Sequence, residues 1–408
     1  MNQRSAAIII DTGFSVESIQ AAQNIIAIID VRTGSITPGY PYLSWECNEE
    51  LLGAFAGDPF NHGSMVLSAL MREAPDLPVV LIRAFDDARL LRTSFHKGRI
   101  SKPGWTEAYL TAVQLCKNLG LCSVANMSFG GYTHAADGSG WEAHCLSQVT
   151  GPGKPGHVVI AGAGTGTGDA IHSSWRTEPG QVTEVFAQQN ASTTYNFWSS
   201  AEPGSLQYNN WLMEVFINDY KISEEFSADL IPNLWNDRKQ VTFHVEGEGV
   251  VKIRTSRFWG ADTRYRDLCQ FSSGLIAANA QNVDKEHASR LHCAKKPPLV
   301  AKRKNDVLRF DCWINRIYCN SYFLDHYDQM TIAEPAIFPN VISVGLDGGN
   351  YSADQLEIGG KPDLLIDGDG PVSFRLPEIT AEVAAYLSED PTLDVVAVNN
   401  LVRNEKAA

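Results

Sequence analysis

Short apolar runs that stop abruptly at polar or glycine-rich residues set the framework of this 408-residue chain. Residues 6–10, AAIII, end at Asp11, and residues 78–85 read PVVLIRAF. Residues 121–131, LCSVANMSFGG, close on a glycine pair, and residues 157–168, HVVIAGAGTGTG, run into a glycine-rich loop. Apolar runs of this length are buried strands. Between them lie segments with helical spacing at 48–57, 62–74 and 105–120, the last closed by glycine. Strands alternating with helices predict an α/β fold, a parallel sheet with helices on both faces. Sites in such sheets collect at the carboxyl ends of the strands. Asp11, NMSFGG and GAGTGTG all stand at such ends.

The alternation breaks near residue 175. From there to about 330 the chain carries Trp198, Trp211, Trp235, Trp259 and Trp313 and few helical runs. TEVFAQQ, YNFWSS, WLMEVFIND, VTFHVEGEGVVKIRTS and VLRFDCWINR are short and strand-like, and GEG at 247–249 predicts a hairpin turn. Residues 175–330 are therefore expected to form an all-β insertion, sandwich or jelly-roll-like. Residues 1–174 and 331–408 would form one α/β domain around it. NVISVGLDG (340–348) predicts a buried strand, residues 376–388 a helix, and LDVVAVNN (393–400) a final strand.

Composition narrows the function classes. Hydrophobic residues make up 44% and charged residues 20%, enough apolar material for a substantial core. A net charge of −14 argues against nucleic acid and against an anionic membrane as general partners. The one basic cluster, KKPPLVAKRK (295–304), reads as a solvated loop because prolines interrupt it. No stretch of about 20 apolar residues predicts a transmembrane helix. The opening MNQRSAAIIIDTGF lacks the features of a signal peptide, so a cytoplasmic location is expected. The 8 cysteines form no CxxC pair, so zinc spacing is absent and reduced thiols are expected.

Three residues carry types that could act together: Asp11 at the end of the first strand, His62 at the start of a helix (NHGSMVLSAL) and Ser373 before a late helix (PVSFRLP). Serine is inert at neutral pH until a histidine takes its proton, and an aspartate holds that histidine in the required tautomer. Each residue has a plainer reading. DTG can be a turn, a histidine at a helix start is often a packed side chain, and Ser373 can be a helix N-cap. GAGTGTG lacks the lysine of a phosphate-binding P-loop.

Taken in order, these segments resemble the subtilisin family of serine proteases. IIIDTGF resembles its aspartate strand, NHGSMV its histidine motif with Ser64 in place of threonine, and ANMSFGG its cleft strand. VVIAGAGTG resembles the segment that ends in the oxyanion asparagine, KPDLL (361–365) the stretch before the serine motif, and PVSFRLP that motif itself. The insertion is similar to the jelly-roll insert of clostridial germination-type subtilases. The resemblance implies a serine endopeptidase with Asp11, His62 and Ser373 as its triad. It implies that Asn126, Met127, Ser128, Phe129, Gly130, Ala161, Gly162 and Ala163 line the substrate cleft. The expected partners are a protein or peptide substrate and a regulatory protein at the β insertion. No cofactor is expected; the resemblance leaves room for calcium, which the sequence does not place. Three departures stand out. Thr165 occupies the oxyanion position, Pro371-Val372 replaces the Gly-Thr before the serine, and Arg375 stands where a small residue is usual. They make an inactive relative that binds a partner the alternative reading.

Overall fold

The computed structural model describes residues 4–22, 24–31, 35–38, 58, 60–84, 104–132, 138, 141–164, 170–199, 211–222, 231–232, 239–257, 308–315, 321–326, 331–347, 361–367 and 371–407. The helix expected at 48–57, the basic cluster at 295–304 and Thr165 lie outside them. The chain forms two compact units, one of Met1–His172 with Asp328–Ala408, the other of Ser173–Tyr327.

The first unit is built on β1 (Ser5–Asp11), β2 (Ile25–Asp30), β3 (Ser35–Pro38), β4 (Val79–Arg83), β5 (Cys122–Met127) and β6 (His157–Gly162). Two later strands, which we number β17 (Ile342–Leu346) and β18 (Leu364–Ile366), complete its sheet. The order is β18-β17-β6-β5-β1-β4-β2-β3, parallel throughout except for the antiparallel edge pair β2–β3. β1 sits between β5 and β4 and is buried at all seven residues. Its alternate side chains feed the two faces. Ala7 and Ile9 pack with α1 (Val16–Ala21) and α2 (His62–Glu73). Ala6, Ile8 and Ile10 pack with α3 (Trp105–Asn118) and α4 (Trp141–Ser147). Each fully buried isoleucine contributes about 1.5–3 kcal/mol. The face of α1 and α2 also receives α5 (Leu376–Glu389) and α6 (Val395–Ala407).

The helix ends follow local chemistry. α3 closes in a Schellman turn, with Gly120 at φ 71°, Leu121 N–H on Cys116 O (2.9 Å) and Gly120 N–H on Lys117 O (3.0 Å). α6 corrects the strand expected at 393–400. Val395, Val398 and Val402 recur at helical spacing on the buried face. The Asp394 carboxylate accepts from the N–H groups of Val396 and Ala397, both at 3.0 Å, and so caps the helix start.

The second unit is all β. Its strands are β7 (His172–Thr177), β8 (Val182–Gln189), β9 (Thr193–Ser199), β10 (Trp211–Ile217), β11 (Tyr220–Lys221), β12 (Ile231–Pro232), β13 (Lys239–Val245), β14 (Gly249–Arg257), β15 (Leu308–Asn315) and β16 (Tyr322–Phe323). They form two five-stranded sheets, β11-β10-β14-β8-β16 and β12-β13-β9-β15-β7. Between the sheets lies an aromatic core of Trp175, Tyr195, Phe197, Trp211, Phe243, Phe310 and Phe323. The hairpin expected at GEG is not formed. β13 and β14 belong to different sheets, so 247–249 carries the chain from one sheet to the other. The tight hairpin joins β10 to β11 through Asn218 (φ 47°) and Asp219 (φ 67°), the paired positive angles of a type I′ turn.

Candidate active site

β1 delivers Asp11 at the carboxyl edge of the sheet, where the backbone turns through Thr12 and Gly13 into α1. α2 begins at His62, and its first turn lies almost on that strand end. A Cβ added to Gly63 would stand 2.1 Å from the Gly13 carbonyl oxygen and 2.9 Å from Asp11 Cβ. Only glycine permits that approach. It puts His62 Nδ1 2.7 Å from Asp11 Oδ1. A carboxylate accepts, so Nδ1 carries the proton and Nε2 presents a lone pair. The Asp11 side chain is 1% exposed and that of His62 28%. Burial works to lower the imidazole pKa, but the hydrogen bond and charge of Asp11, with the charge of Asp58, outweigh it. The net shift is above the ordinary histidine value of 6.5.

Ser373 lies in a 3₁₀ turn, Val372–Phe374, immediately before α5. Arg375 rather than Ser373 is the N-cap residue of α5, and Pro377 occupies its first turn. The turn packs under the end of β6, where a Cβ on Gly162 would meet Val372 Cγ1 at 3.0 Å and Leu376 Cδ1 at 3.3 Å. The Phe374 ring lies 5.5 Å from the His62 ring, tilted by 43°. Ser373 Oγ does not bond His62; it donates to the Ser128 carbonyl oxygen at 3.0 Å. The Ser128 hydroxyl answers from the other side, 2.8 Å from Asn126 Oδ1 and 3.0 Å from the Ser373 carbonyl oxygen. Asn126 Nδ2 in turn donates to Thr380 Oγ1 on α5 (3.0 Å), so β5 and α5 are joined by a buried polar chain under the serine turn.

The other expected cleft residues divide by role. Met127, Ala161 and Ala163 are buried in the core. Phe129 is edge-on to Trp105 at 5.5 Å. Gly130 lies where a Cβ would be 2.7 Å from the Ala333 methyl. The backbone at Gly131 exchanges two hydrogen bonds with Glu334, at 3.1 and 2.9 Å.

A carboxylate that escapes a reading of the sequence, Asp58, ties these elements together. The Thr12 N–H donates to Asp11 Oδ1 at 2.7 Å, and the Thr12 hydroxyl donates to Asp58 Oδ1 at 2.8 Å. Asp58 Oδ2 accepts from the Ser64 N–H and hydroxyl, both at 2.8 Å, and Ser64 Oγ accepts from the Ser15 N–H at 2.8 Å. Asp11 Oδ2 is buried with no hydrogen-bond partner. The only advance signal is an aspartate four residues before His62, too common in loops to single out. Among the described residues no group of three or more His, Cys, Asp and Glu side chains could hold a metal ion. Among them, too, no helix is long and apolar enough to cross a membrane.

The chain matches no protein-family model and no curated protein. Among solved structures it is similar to the CspB protease of Clostridium perfringens, with a TM-score of 0.63 at 13% sequence identity. The match covers 98% of this chain and 86% of that one. With the sheet order above, it places the chain in the subtilisin-like fold carrying a β insertion.

Proposed function

We propose that the protein is a serine endopeptidase in which Ser373 is the nucleophile, His62 the general base and then acid, and Asp11 the residue that orients His62. The observation that carries this reading is the 2.7 Å Asp11–His62 pair at the carboxyl edge of the sheet, with the Ser373 turn beside it. The subtilisin-like fold and the neighbour named a protease support it.

The chemistry runs as follows. His62 Nε2 takes the Ser373 hydroxyl proton while Oγ attacks the scissile carbonyl carbon. The tetrahedral adduct collapses as the C–N bond breaks, and the amine leaves with the proton from Nε2. Water, deprotonated by the same nitrogen, then cleaves the acyl-enzyme and restores Ser373. The Ser373 hydroxyl must leave the Ser128 carbonyl for His62 when substrate binds. Thr165 is the side-chain donor to the oxyanion in this reading. Its hydroxyl has a shorter reach than an amide, and a lost donor of that kind costs about 10²–10³ in kcat, so turnover is slow. The substrate is an extended protein or peptide segment lying along residues 128–130, and the β unit offers the surface for a regulatory protein.

One observation favours a second reading, a binding protein that keeps the fold without turnover: Ser373 Oγ is engaged by Ser128 rather than by His62. A fluorophosphonate probe separates the two. The peptidase reading expects covalent labelling at Ser373, located by peptide mass spectrometry, and none in Ser373→Ala. An unlabelled wild type with native secondary structure leaves the binding reading.

A further inference from the structure

The geometry points to Asp58 as a positioning residue of the same site, a second carboxylate that holds the Asp11 turn and the His62 helix in one register. The inference rests on the peptidase reading for its consequence in catalysis, but its observations are independent of that reading.

Every side-chain hydrogen bond of Asp11 runs through one carboxylate oxygen. Oδ1 takes the Thr12 N–H at 2.7 Å, His62 Nδ1 at 2.7 Å and, at a longer 3.2 Å, the Thr12 hydroxyl, while Oδ2 has no partner. The orientation of the Asp11 carboxylate therefore depends on where Thr12 is held. Thr12 is held by Asp58, whose Oδ1 accepts the Thr12 hydroxyl at 2.8 Å. The same carboxylate reaches the histidine helix. Asn61, the N-cap residue of α2, makes no side-chain cap and sits in the left-handed region at φ 54°. Asp58 Oδ2 supplies the missing acceptor through the Ser64 N–H and hydroxyl at 2.8 Å. A backbone link closes the segment, with the Asn61 N–H on the Asp58 carbonyl at 3.0 Å. One side chain thus bridges the residue after Asp11 and the residue two beyond His62. Charge-assisted bonds of this kind are the stronger ones, and a misplacement of about 1 Å in such a pair can cost 10²-fold in rate.

The charge of Asp58 acts on His62 as well. The charged groups on the elements packed against α2 are Asp11 on β1, Glu17 on α1, and Arg375, Glu378, Glu382 and Glu389 on and beside α5. Arg375 and Glu378 pair with each other at 3.1 Å. Asp11 and Asp58 are the charges that raise the imidazole's proton affinity, both favouring its cation. Removing the Asp58 charge therefore makes His62 easier to deprotonate, while removing its hydrogen bonds loosens the Asp11–His62 geometry.

The test compares wild type with Asp58→Asn, Asp58→Ala and Asp58→Glu, with circular dichroism as the folding control. The His62 midpoint is read from its ring proton by NMR, assigned by its loss in His62→Ala. Nucleophile reactivity is read as the rate of fluorophosphonate labelling. The expected result is a lower His62 midpoint in Asp58→Asn and Asp58→Ala. Labelling should slow by about 10- to 100-fold in both, and Asp58→Glu should recover part of each change. A folded Asp58→Asn protein with an unmoved midpoint and labelling within about twofold of wild type overturns the assignment. If no variant at 58 folds, Ser64→Ala removes the hydroxyl arm of the bridge to α2, and Thr12→Val the arm to the Asp11 turn together with the 3.2 Å contact of that hydroxyl to Asp11; slowed labelling in Ser64→Ala supports the bridge, and labelling unchanged in Ser64→Ala overturns it whatever Thr12→Val does. A wild type that never labels defeats the peptidase reading instead, and the His62 midpoint then decides the role of Asp58 alone.

Discussion

Two histidines mark opposite ends of the same parallel sheet. His62 stands beside the carboxyl end of β1, and His157 opens β6 at the amino end. The amino-end site has a serine–histidine contact, with Ser123 Oγ 2.9 Å from His157 Nδ1. The carboxyl-end site has no serine–histidine hydrogen bond but does have the carboxylate, Asp11, at 2.7 Å. Their proton affinities move in opposite directions. Burial pushes the His157 imidazole down to about 4, and Lys117 works the same way. His62 is raised, because two carboxylates outweigh its burial. A serine next to a histidine is therefore not by itself a nucleophile. Without a carboxylate the imidazolium that catalysis needs has no support, and His157, 7% exposed, has no route to a substrate.

The largest effect that could break this comparison comes from the carboxylate. Asp11→Asn keeps the size of the side chain but offers His62 the wrong tautomer, and should lower kcat by about 10³–10⁴. Ser123→Ala removes the serine–histidine contact of the amino end and should leave kcat within about twofold. Steady-state kinetics on a cleaved peptide decide it. If Ser123→Ala proves as damaging as Asp11→Asn, the amino end takes part in function and the contrast fails.

Much of the carboxyl-end site is legible in the sequence because it rests on short-range signals. AAIII stops at Asp11, the helix starts at His62, and Ser373 precedes an amphipathic helix closed by proline chemistry in its first turn. Periodicity places each on its element. Other parts depend on contacts remote in sequence. Asp58 is one aspartate in a loop, and its bonds to Thr12 and Ser64 exist only after β1 and α2 meet. The direction of the Ser373 hydroxyl toward Ser128 is likewise a tertiary result. Two misreadings have local causes. β-branched residues in LDVVAVNN suggest a strand, but the cap at Asp394 and burial of Val395, Val398 and Val402 against the sheet side of the unit make it a helix. GEG has the residues of a hairpin turn, yet turn chemistry does not specify which sheet receives the next strand.

The two histidines also separate by pH. In the proposed peptidase mechanism His62 acts as base only when neutral, so kcat/KM should rise with pH through a midpoint above the ordinary value of 6.5. Its raised folded-state affinity stabilises the protein fully below about 6.5, and that contribution is lost as pH rises through the folded midpoint. His157 has the opposite sign. The unfolded chain binds its proton from about pH 6.5 downward, whereas the folded chain resists until about 4. Its contribution is present above pH 6.5 and is lost as pH falls to about 4, amounting to roughly 3 kcal/mol. Urea unfolding at pH 7 and pH 4.5 should show that loss in wild type and a smaller one in His157→Gln. Equal acid sensitivity in the two proteins would remove His157 as its source.

The smallest and sharpest contrast lies in the glycines beside each histidine. Gly63 follows His62, and a methyl there would stand 2.1 Å from the Gly13 carbonyl, a backbone atom that cannot swing aside. Gly63→Ala must therefore push the first turn of α2 away from the Asp11 turn and lengthen the 2.7 Å bond between Asp11 and His62. The loss should fall on kcat, about tenfold or more, because orientation is realised in the transition state, with KM little changed. Gly156 precedes His157 at φ 80°, with Cys122 Sγ 3.2 Å from the would-be methyl. Gly156→Ala meets a left-handed backbone angle, which costs about 1–2 kcal/mol, and one sulfur that must give way slightly. It should lower Tm by several degrees and leave kcat unaltered, since nothing at the amino end touches the reacting atoms. Melting curves and kinetics on both variants read the two effects separately. A Gly63→Ala protein that loses stability but keeps full kcat would show that close approach of α2 to β1 serves folding alone, and that the Asp11–His62 distance tolerates more than this account allows.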